Sequence, residues 1–296
     1  MFQLDFKTNR PLRYIQSAYS TLITFLNERP DTIFVQNPSL VLAALAVNYG
    51  RIARVPVVVD AHNAGVFPFD GKKWWANRLA DYLFRHAALT IVTNRALSEH
   101  IKQRGGKTAI LPDPLPEFGR IDATKPLIGR VHVLFICSFA SDEPYMEVIE
   151  AGRLLSKDII IYITGRYKGD VNGLKKSMPE NVILTGFLPE HDFIQLLHSV
   201  DIVIDLTTRE DCLLCGAYEA VSAEKVLIVS ATRALKEYFH KGTLYTQNDR
   251  EDLVRQIERA ISNKVSLATD IKELKKEKTT EWALKKAEFE ADLEKF

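Results

Sequence analysis

The sequence is poor in cysteine, balanced in charge and free of any long apolar run, and each shortage removes a class of protein. Three cysteines in 296 residues, Cys137, Cys212 and Cys215, are too few for a disulfide framework. With no secretory signal ahead of them they point to a reducing compartment. Cys212 and Cys215 form a C-x-x-C at an expected helix start, a setting that lowers a thiol pKa. However, Leu213 and Leu214 stand where redox motifs carry Gly, Pro or His, and no second pair or histidine cluster completes a zinc site, so no metal is expected. The 39 Lys and Arg against 38 Asp and Glu leave a formal charge of +1, which gives no field to recruit nucleic acid. The longest apolar run, near Val41 to Val47, falls far short of the roughly 20 residues of a membrane span. The expected location is the cytoplasm, with the inner face of a membrane as the one alternative.

What remains is a chain with an apolar share of 46%, long enough for two cores. Near-fully apolar segments such as TIFVQNP, VPVVVDAHN and ALTIVTN alternate with segments of helical spacing over residues 11–30, 39–54, 74–86 and 95–104. A short strand is also expected over Phe2 to Phe6. Residues 112–126 hold four of the twelve prolines and mark a stiff linker. The alternation then restarts with VHVLFICSF, a helix from Asp142 to Leu155, DIIIYITG, NVILTGFLP, a helix from Glu190 to Val200, DIVIDLTT and VLIVS, followed by short helices around Leu235 and over 252–262. Apolar strands separated by helices imply parallel sheets covered on both faces. The expected fold is α/β, two doubly wound Rossmann-like domains facing across a cleft. Residues 1–126 form the first with its linker, 127–265 the second, and 266–296 a helix with a narrow stripe of Trp282, Phe289, Leu293 and Phe296. Ligands of such sheets bind beyond the carboxyl ends of the strands, where Asn37, His62, Asn63, Asn94, Ser138, Arg166 and Asp211 fall.

The stretch from Thr207 to Val229 is the most informative. A carboxylate-bearing loop opens into a helix, a junction whose unpaired N–H groups can hold an anionic or polyhydroxy ligand. Asp211 and Glu219, eight positions apart or roughly two turns, are expected on one helical face.

The two-domain alternation, the Pro-rich linker after KTAILP, and D-x7-E with GAYEA running into EKVLIVS resemble glycosyltransferases of GT-B fold, of the retaining group 1 type whose signature is E-x7-E. That resemblance covers nearly the whole chain to about residue 265. It implies that Glu219 holds the donor ribose and Asp211 the donor sugar. Amides from Leu213 through Leu214, Cys215 and Gly216 then serve phosphate and sugar oxygens. Gly186 and Phe187 match the turn beside the base, and His62 matches an acceptor-side histidine, with Asn63 and Asn37 as acceptor-binding neighbours. It implies no cofactor, the nucleotide-sugar being a substrate, and an acceptor that is a carbohydrate or lipid-linked.

Two departures stand out. Where relatives carry Arg and Lys on the donor diphosphate, CSFASDE places Ser138 and Glu143, so Arg166, Lys168 or Arg209 would have to substitute. The first strand and Gly-rich turn of relatives have no counterpart, so the N-terminal domain is expected to be incomplete, with a sheet edge that a partner subunit could cover. These departures motivate the alternative expectation, a catalytically silent subunit or truncated product that binds a partner glycosyltransferase. A nucleotide-sugar epimerase of similar fold fits the D-x7-E region less well. Lys72, Lys73, Trp74 and Trp75 open an amphipathic helix; Trp75 is expected to pack as core, with docking on a membrane surface as the other reading.

Overall fold

The computed structural model describes residues 10–37, 39–119 and 126–294; the strand expected over Phe2 to Phe6, part of the Pro-rich stretch and Phe296 lie outside them. The chain divides into two compact units, residues 1–113 with 284–296, and residues 114–283.

The first unit runs α1 (Arg10–Glu28), β1 (Ile33–Asn37), α2 (Leu40–Ala53), β2 (Val57–Ala61), α3 (Asn63–Val66), a 3-10 turn (Pro68–Gly71), α4 (Trp74–His86), β3 (Leu89–Val92), α5 (Arg95–Lys102) and β4 (Thr108–Ile110). Its four strands are parallel, in the order β1-β2-β3-β4. Val57, Val58 and Val59 are all buried because helices cover both faces. Ser39 accepts the Leu42 N–H to start α2, and Arg54 closes it in the left-handed region. Among the described residues β1 has no neighbour beyond β2, and Phe34 on it is exposed, as are Leu12, Tyr14, Ile15, Tyr19 and Leu26 of α1.

The second unit runs β5 (Val131–Phe135), α6 (Tyr145–Leu154), β6 (Ile159–Thr164), α7 (Val171–Ser177), β7 (Val182–Gly186), α8 (Glu190–Ser199), β8 (Ile202–Asp205), α9 (Cys215–Ser222), β9 (Val226–Ser230), α10 (Arg233–Tyr238), β10 (Thr243–Thr246), α11 (Arg250–Ser262) and α12 (Lys264–Leu293). Its parallel sheet has the order β10-β9-β8-β5-β6-β7. One core cluster gathers Val133, Phe135, Ile161, Ile163, Ile204 and Ile228, and a second gathers Leu134, Tyr162, Val203, Leu227 and Val229. The alternation assigns each strand's odd and even residues to opposite faces.

Several expectations are revised. The Pro-rich stretch is not a free linker where it is described: Leu115 and Phe118 pack against the second unit's core, and Ser222 Oγ donates to the Pro116 carbonyl. Residues 114–118 therefore go with the second unit, as does α12 up to Ala283. On α12 the buried stripe is Ile271, Leu274 and the Lys278 stem, whose ammonium lies 4.6 Å from the Tyr238 ring and 2.8 Å from Glu281 Oε2. Helix α6 starts at Tyr145 rather than Asp142, because residues 138–143 fold into a turn around Glu143. The short α3, α7 and β10 were not expected.

Candidate functional site

In the second sheet the strand order reverses between β8 and β5. The loops leaving their carboxyl ends, residues 136–144 and 206–214, meet at the position at which doubly wound sheets take ligands, and the Thr208 N–H donates to the Asp142 carbonyl between them at 2.8 Å. Asp205, missed from the sequence, closes β8 and is buried. Its carboxyl accepts the backbone N–H groups of Gly216 and Ala217 at the start of α9. A Cβ on Gly216 would lie 2.6 Å from Asp205 Oδ2, so only glycine allows the approach. Burial first, then the charges of Glu143 and Glu219, push the Asp205 pKa well above the ordinary carboxyl value. The available signal was a carboxylate ending an otherwise apolar strand, IVID.

That arrangement corrects the expected anion site. The Gly216 amide is engaged from within, by Asp205. Leu213 and Leu214 pack against the core, so the leucines of CLLC act as a lid on it. Cys212 moves opposite to the expected trend: burial raises it to about 11, so it stays protonated; Cys137, outside that pair, is also buried and raised. Among the described residues no group of three His, Cys, Asp or Glu side chains is placed to hold a metal ion.

Asp211 and Glu219 do not share a helical face, since α9 begins only at Cys215. Asp211 lies in the preceding loop, where Arg233 of α10 donates to its Oδ1 at 3.1 Å; Arg233 was not anticipated. Glu210 in turn accepts the Arg233 backbone N–H at 2.7 Å, so both ends of Arg233 hold this loop. Arg209 sits 3.5 Å from Asp142, whose other oxygen accepts from Thr207 Oγ at 2.8 Å. Glu219, on the second turn of α9, is partly buried, and burial alone raises its pKa to about 7. Among the described residues no hydrogen bond or counter-charge offsets that desolvation.

Ser138 and Glu143, the residues standing in place of a cationic pair, bind one another. Ser138 and Ala140 donate backbone N–H bonds to Glu143 Oε2 at 2.8 and 2.9 Å, and Ser138 Oγ donates to Oε1 at 2.8 Å. At the end of β7, Gly186 has φ +73° and the next residue, Phe187, stands exposed, with the Arg166 guanidinium 5.9 Å from its ring centre. That is a cation–π contact at the outer limit of range. Lys168 is exposed in the same loop.

In the first unit His62 follows β2 and precedes α3, with its carbonyl accepting from Gly65 and Val66. Its Nε2 is 3.7 Å from Asp60 Oδ1 and its Nδ1 4.0 Å from Asp113 Oδ2. Asp60 holds the His62 pKa above its ordinary 6.5, burial opposes, and Asp113 adds to the rise. Asp113 is itself raised by burial, against the pull of His62. Asn63 opens α3 beside it. Asn37, expected to face an acceptor, is instead fully buried and donates to the Gly65 carbonyl at 3.3 Å, which positions the His62 turn from below. Asn94 caps α5 by accepting the Leu97 N–H at 3.1 Å. Trp75 is not core: it is 49% exposed and Trp74 73%, while Ala76, Ala80, Leu83 and Phe84 form the buried face of α4. Phe69 is also exposed, 5.6 Å from the Trp75 ring centre, beside exposed Lys72 and Lys73.

No curated protein matches the chain. Residues 4–112 match the glycosyl transferase 4-like domain, and residues 129–278 match glycosyl transferases group 1. Among solved structures, Anabaena HepE (Alr3699) in complex with UDP and glucose is similar with a TM-score of 0.74 at 15% identity, over 96% of this chain and 82% of that one. Sucrose-phosphate synthase (tll1590) from Thermosynechococcus elongatus gives 0.76 at 13%, over 95% and 78%. A UDP-forming trehalose-phosphate synthase from Burkholderia xenovorans gives 0.71 at 14%, over 97% and 80%. At such identities the likeness is one of fold. Together with the family match, which spans half the chain, it establishes that this chain belongs to the group 1 glycosyltransferases and has the GT-B fold.

Proposed function

We propose that the chain transfers a sugar from a nucleotide-sugar donor to a carbohydrate or lipid-linked acceptor in polysaccharide or glycoconjugate biosynthesis, with retained configuration and without a metal. The observation that carries this reading is Glu219, a partly buried carboxyl raised to about 7 with nothing among the described residues to offset its desolvation, on the helix that follows the reversal of strand order at β5 and β8. A carboxylate there accepts two hydroxyl hydrogen bonds at once, as a ribose offers. The UDP and glucose held by the Anabaena relative support a donor of that class.

On this reading Phe187 and Arg166 present a face to the base, and Asp211, oriented by Arg233, receives sugar hydroxyls. The amides at Leu214 and Cys215 meet the sugar or phosphate. Chemistry rests on holding the donor and stabilising its departing diphosphate. Arg166 is the cation best placed to help, since Arg209 and Arg233 already pair with Asp142 and Asp211. His62, flanked by Asp60 and Asp113, is the acceptor-side base, with Asn63 beside it. The exposed Phe69, Trp74, Trp75, Lys72 and Lys73 favour a lipid-linked acceptor met at an anionic membrane surface. Among the described residues no helix is long and apolar enough to cross a membrane.

Calorimetry with UDP-, GDP- and dTDP-sugars tests the reading. Saturable heat that Glu219→Ala abolishes supports it, and no heat with any donor from folded protein overturns it. A second reading, a silent subunit that binds a partner glycosyltransferase, draws on the Ser138–Glu143 pairing in place of cations and on the exposed edge at Phe34. It predicts no donor heat and a stable complex with that partner.

A further inference from the structure

The turn after β5 holds a carboxylate in a place built for an anion. Besides the Ser138 and Ala140 N–H groups and the Ser138 hydroxyl, Cys137 Sγ reaches Glu143 Oε2 at 3.2 Å. Four donors thus converge on one carboxylate. Phe139, between the two amides, has φ +59° and donates its own N–H to Cys137 Sγ at 3.2 Å, so the Ser138 and Ala140 N–H groups on either side converge on a common centre, the geometry of an anion-binding nest. The turn is fixed from beneath. Thr164 Oγ accepts the Cys137 N–H at 3.2 Å, and a Cβ on Gly165, which has φ +96°, would stand only 2.0 Å from the Cys137 carbonyl oxygen. Phe139 also packs edge-on against Tyr145 and Tyr167, with ring centres 5.1 and 5.2 Å away. The receptor is therefore rigid backbone, whereas its occupant is a side chain that can leave by rotation. The nest also opens at the same reversal of strand order that borders Glu219, and both carboxylates act on Asp205.

We propose that Glu143 is a built-in competitor for the donor's phosphates: in the free protein its carboxylate fills the nest at 138–140, and a phosphate enters only when Glu143 swings out. Glu143 thereby determines how tightly, and with what preference for phosphate charge, a nucleotide is held. This rests on the nucleotide-sugar reading above. It goes beyond it by naming the residue that limits affinity and by giving that residue an effect opposite in sign to that of Glu219. Removing a ligand-binding carboxylate weakens binding, whereas removing a competing one strengthens it.

The test is calorimetry of the full chain with UDP, GDP and dTDP, each beside its nucleoside, for wild type, Glu143→Ala and Glu143→Gln. Glu143→Ala empties the nest, while Glu143→Gln keeps the shape and removes the charge, so the second variant guards against misfolding of the first. The expected result is at least about tenfold tighter binding of one diphosphate in both variants, with its nucleoside unchanged; tenfold corresponds to ~1.4 kcal/mol. Diphosphate binding by wild type that is unchanged or weakened in the variants overturns the inference and leaves the nucleotide-sugar reading standing. Equal tightening of nucleoside and diphosphate also overturns it, because that is loosening of the site rather than competition for an anion. No binding by wild type or either variant overturns both.

Discussion

Replacing Glu219 with Gln should make the protein more stable at pH 8 while removing its capacity to bind donor. Burial raises this carboxyl from the ordinary 4.5 to about 7 in the folded chain. A folded-state pKa above the unfolded one means that the folded state takes up the proton more readily. The associated stability is therefore complete below about pH 4.5, declines through the interval, and is lost above about 7. The gap of about 2.5 pH units sets a ceiling of ~3.4 kcal/mol at 1.36 kcal/mol per unit. Since the side chain is partly exposed and water screens it, ~1–2 kcal/mol is the expected gain. Gln keeps the shape and cannot ionise, so Glu219→Gln should unfold at a higher apparent midpoint than wild type at pH 8, with the difference gone near pH 4.5. Urea unfolding at both pH values, followed by fluorescence, reads this directly. A variant less stable than wild type at pH 8, or a difference independent of pH, would refute the reasoning. Trading stability for a desolvated carboxylate is what a binding site does, and a merely structural Glu would not.

The remaining predictions concern other parts of both units. Donor affinity of wild type should fall as pH drops below about 7, as Glu219 becomes protonated, and should level off above it; a flat profile in calorimetry between pH 5.5 and 8 contradicts the assigned role. Asp60→Asn should lower the His62 pKa toward or below 6.5, measured by histidine NMR, and should move the acid limb of the transfer rate to lower pH; an unmoved titration would disconnect Asp60 from His62. Gly216→Ala should cost about 1–3 kcal/mol, because its Cβ would press within 2.6 Å of Asp205 and 2.9 Å of Ile136. Trp74→Ser with Trp75→Ser should reduce cosedimentation with vesicles of anionic lipid at least several-fold with little change in stability, as both rings are exposed. Equal binding by the double variant would place the membrane contact elsewhere.

The architecture was legible because its cause is periodic. The VVV of β2, IIIYI of β6 and VLIV of β9 are apolar at every position, which a strand covered on both faces satisfies, and the helix expected over about 74–86 runs from Trp74 to His86. Short elements were lost for the converse reason: α3 has four residues, too few to show a period, and β10 is a run of only four, TLYT. Within the site, positions were legible and pairings were not. His62 follows β2 and Glu219 lies on α9, the elements that the apolar runs around them indicated. However, some of their electrostatic partners lie far along the chain: Asp113, from beyond β4, adds to the rise at His62, and Glu219 acts on Asp205 of the preceding strand, and spacing along the chain carries no trace of such meetings. Asp211 shows the limit of periodicity, since eight positions mean two turns only if the helix includes both, and this one starts four residues later. Trp75 was misread for a related reason. Helical spacing identifies an apolar face but not how wide the core beneath it is, and small Ala76 and Ala80 occupy the buried stripe.

The central claim is that the donor binds at the carboxyl ends of β5 and β8, with Glu219 on its ribose. Cocrystallisation with UDP, GDP and dTDP, taking whichever gives heat, tests it most directly. The account predicts both ribose hydroxyls within hydrogen-bonding distance of the Glu219 carboxylate. A nucleotide bound away from β5 and β8, or one whose ribose turns from Glu219, would contradict it.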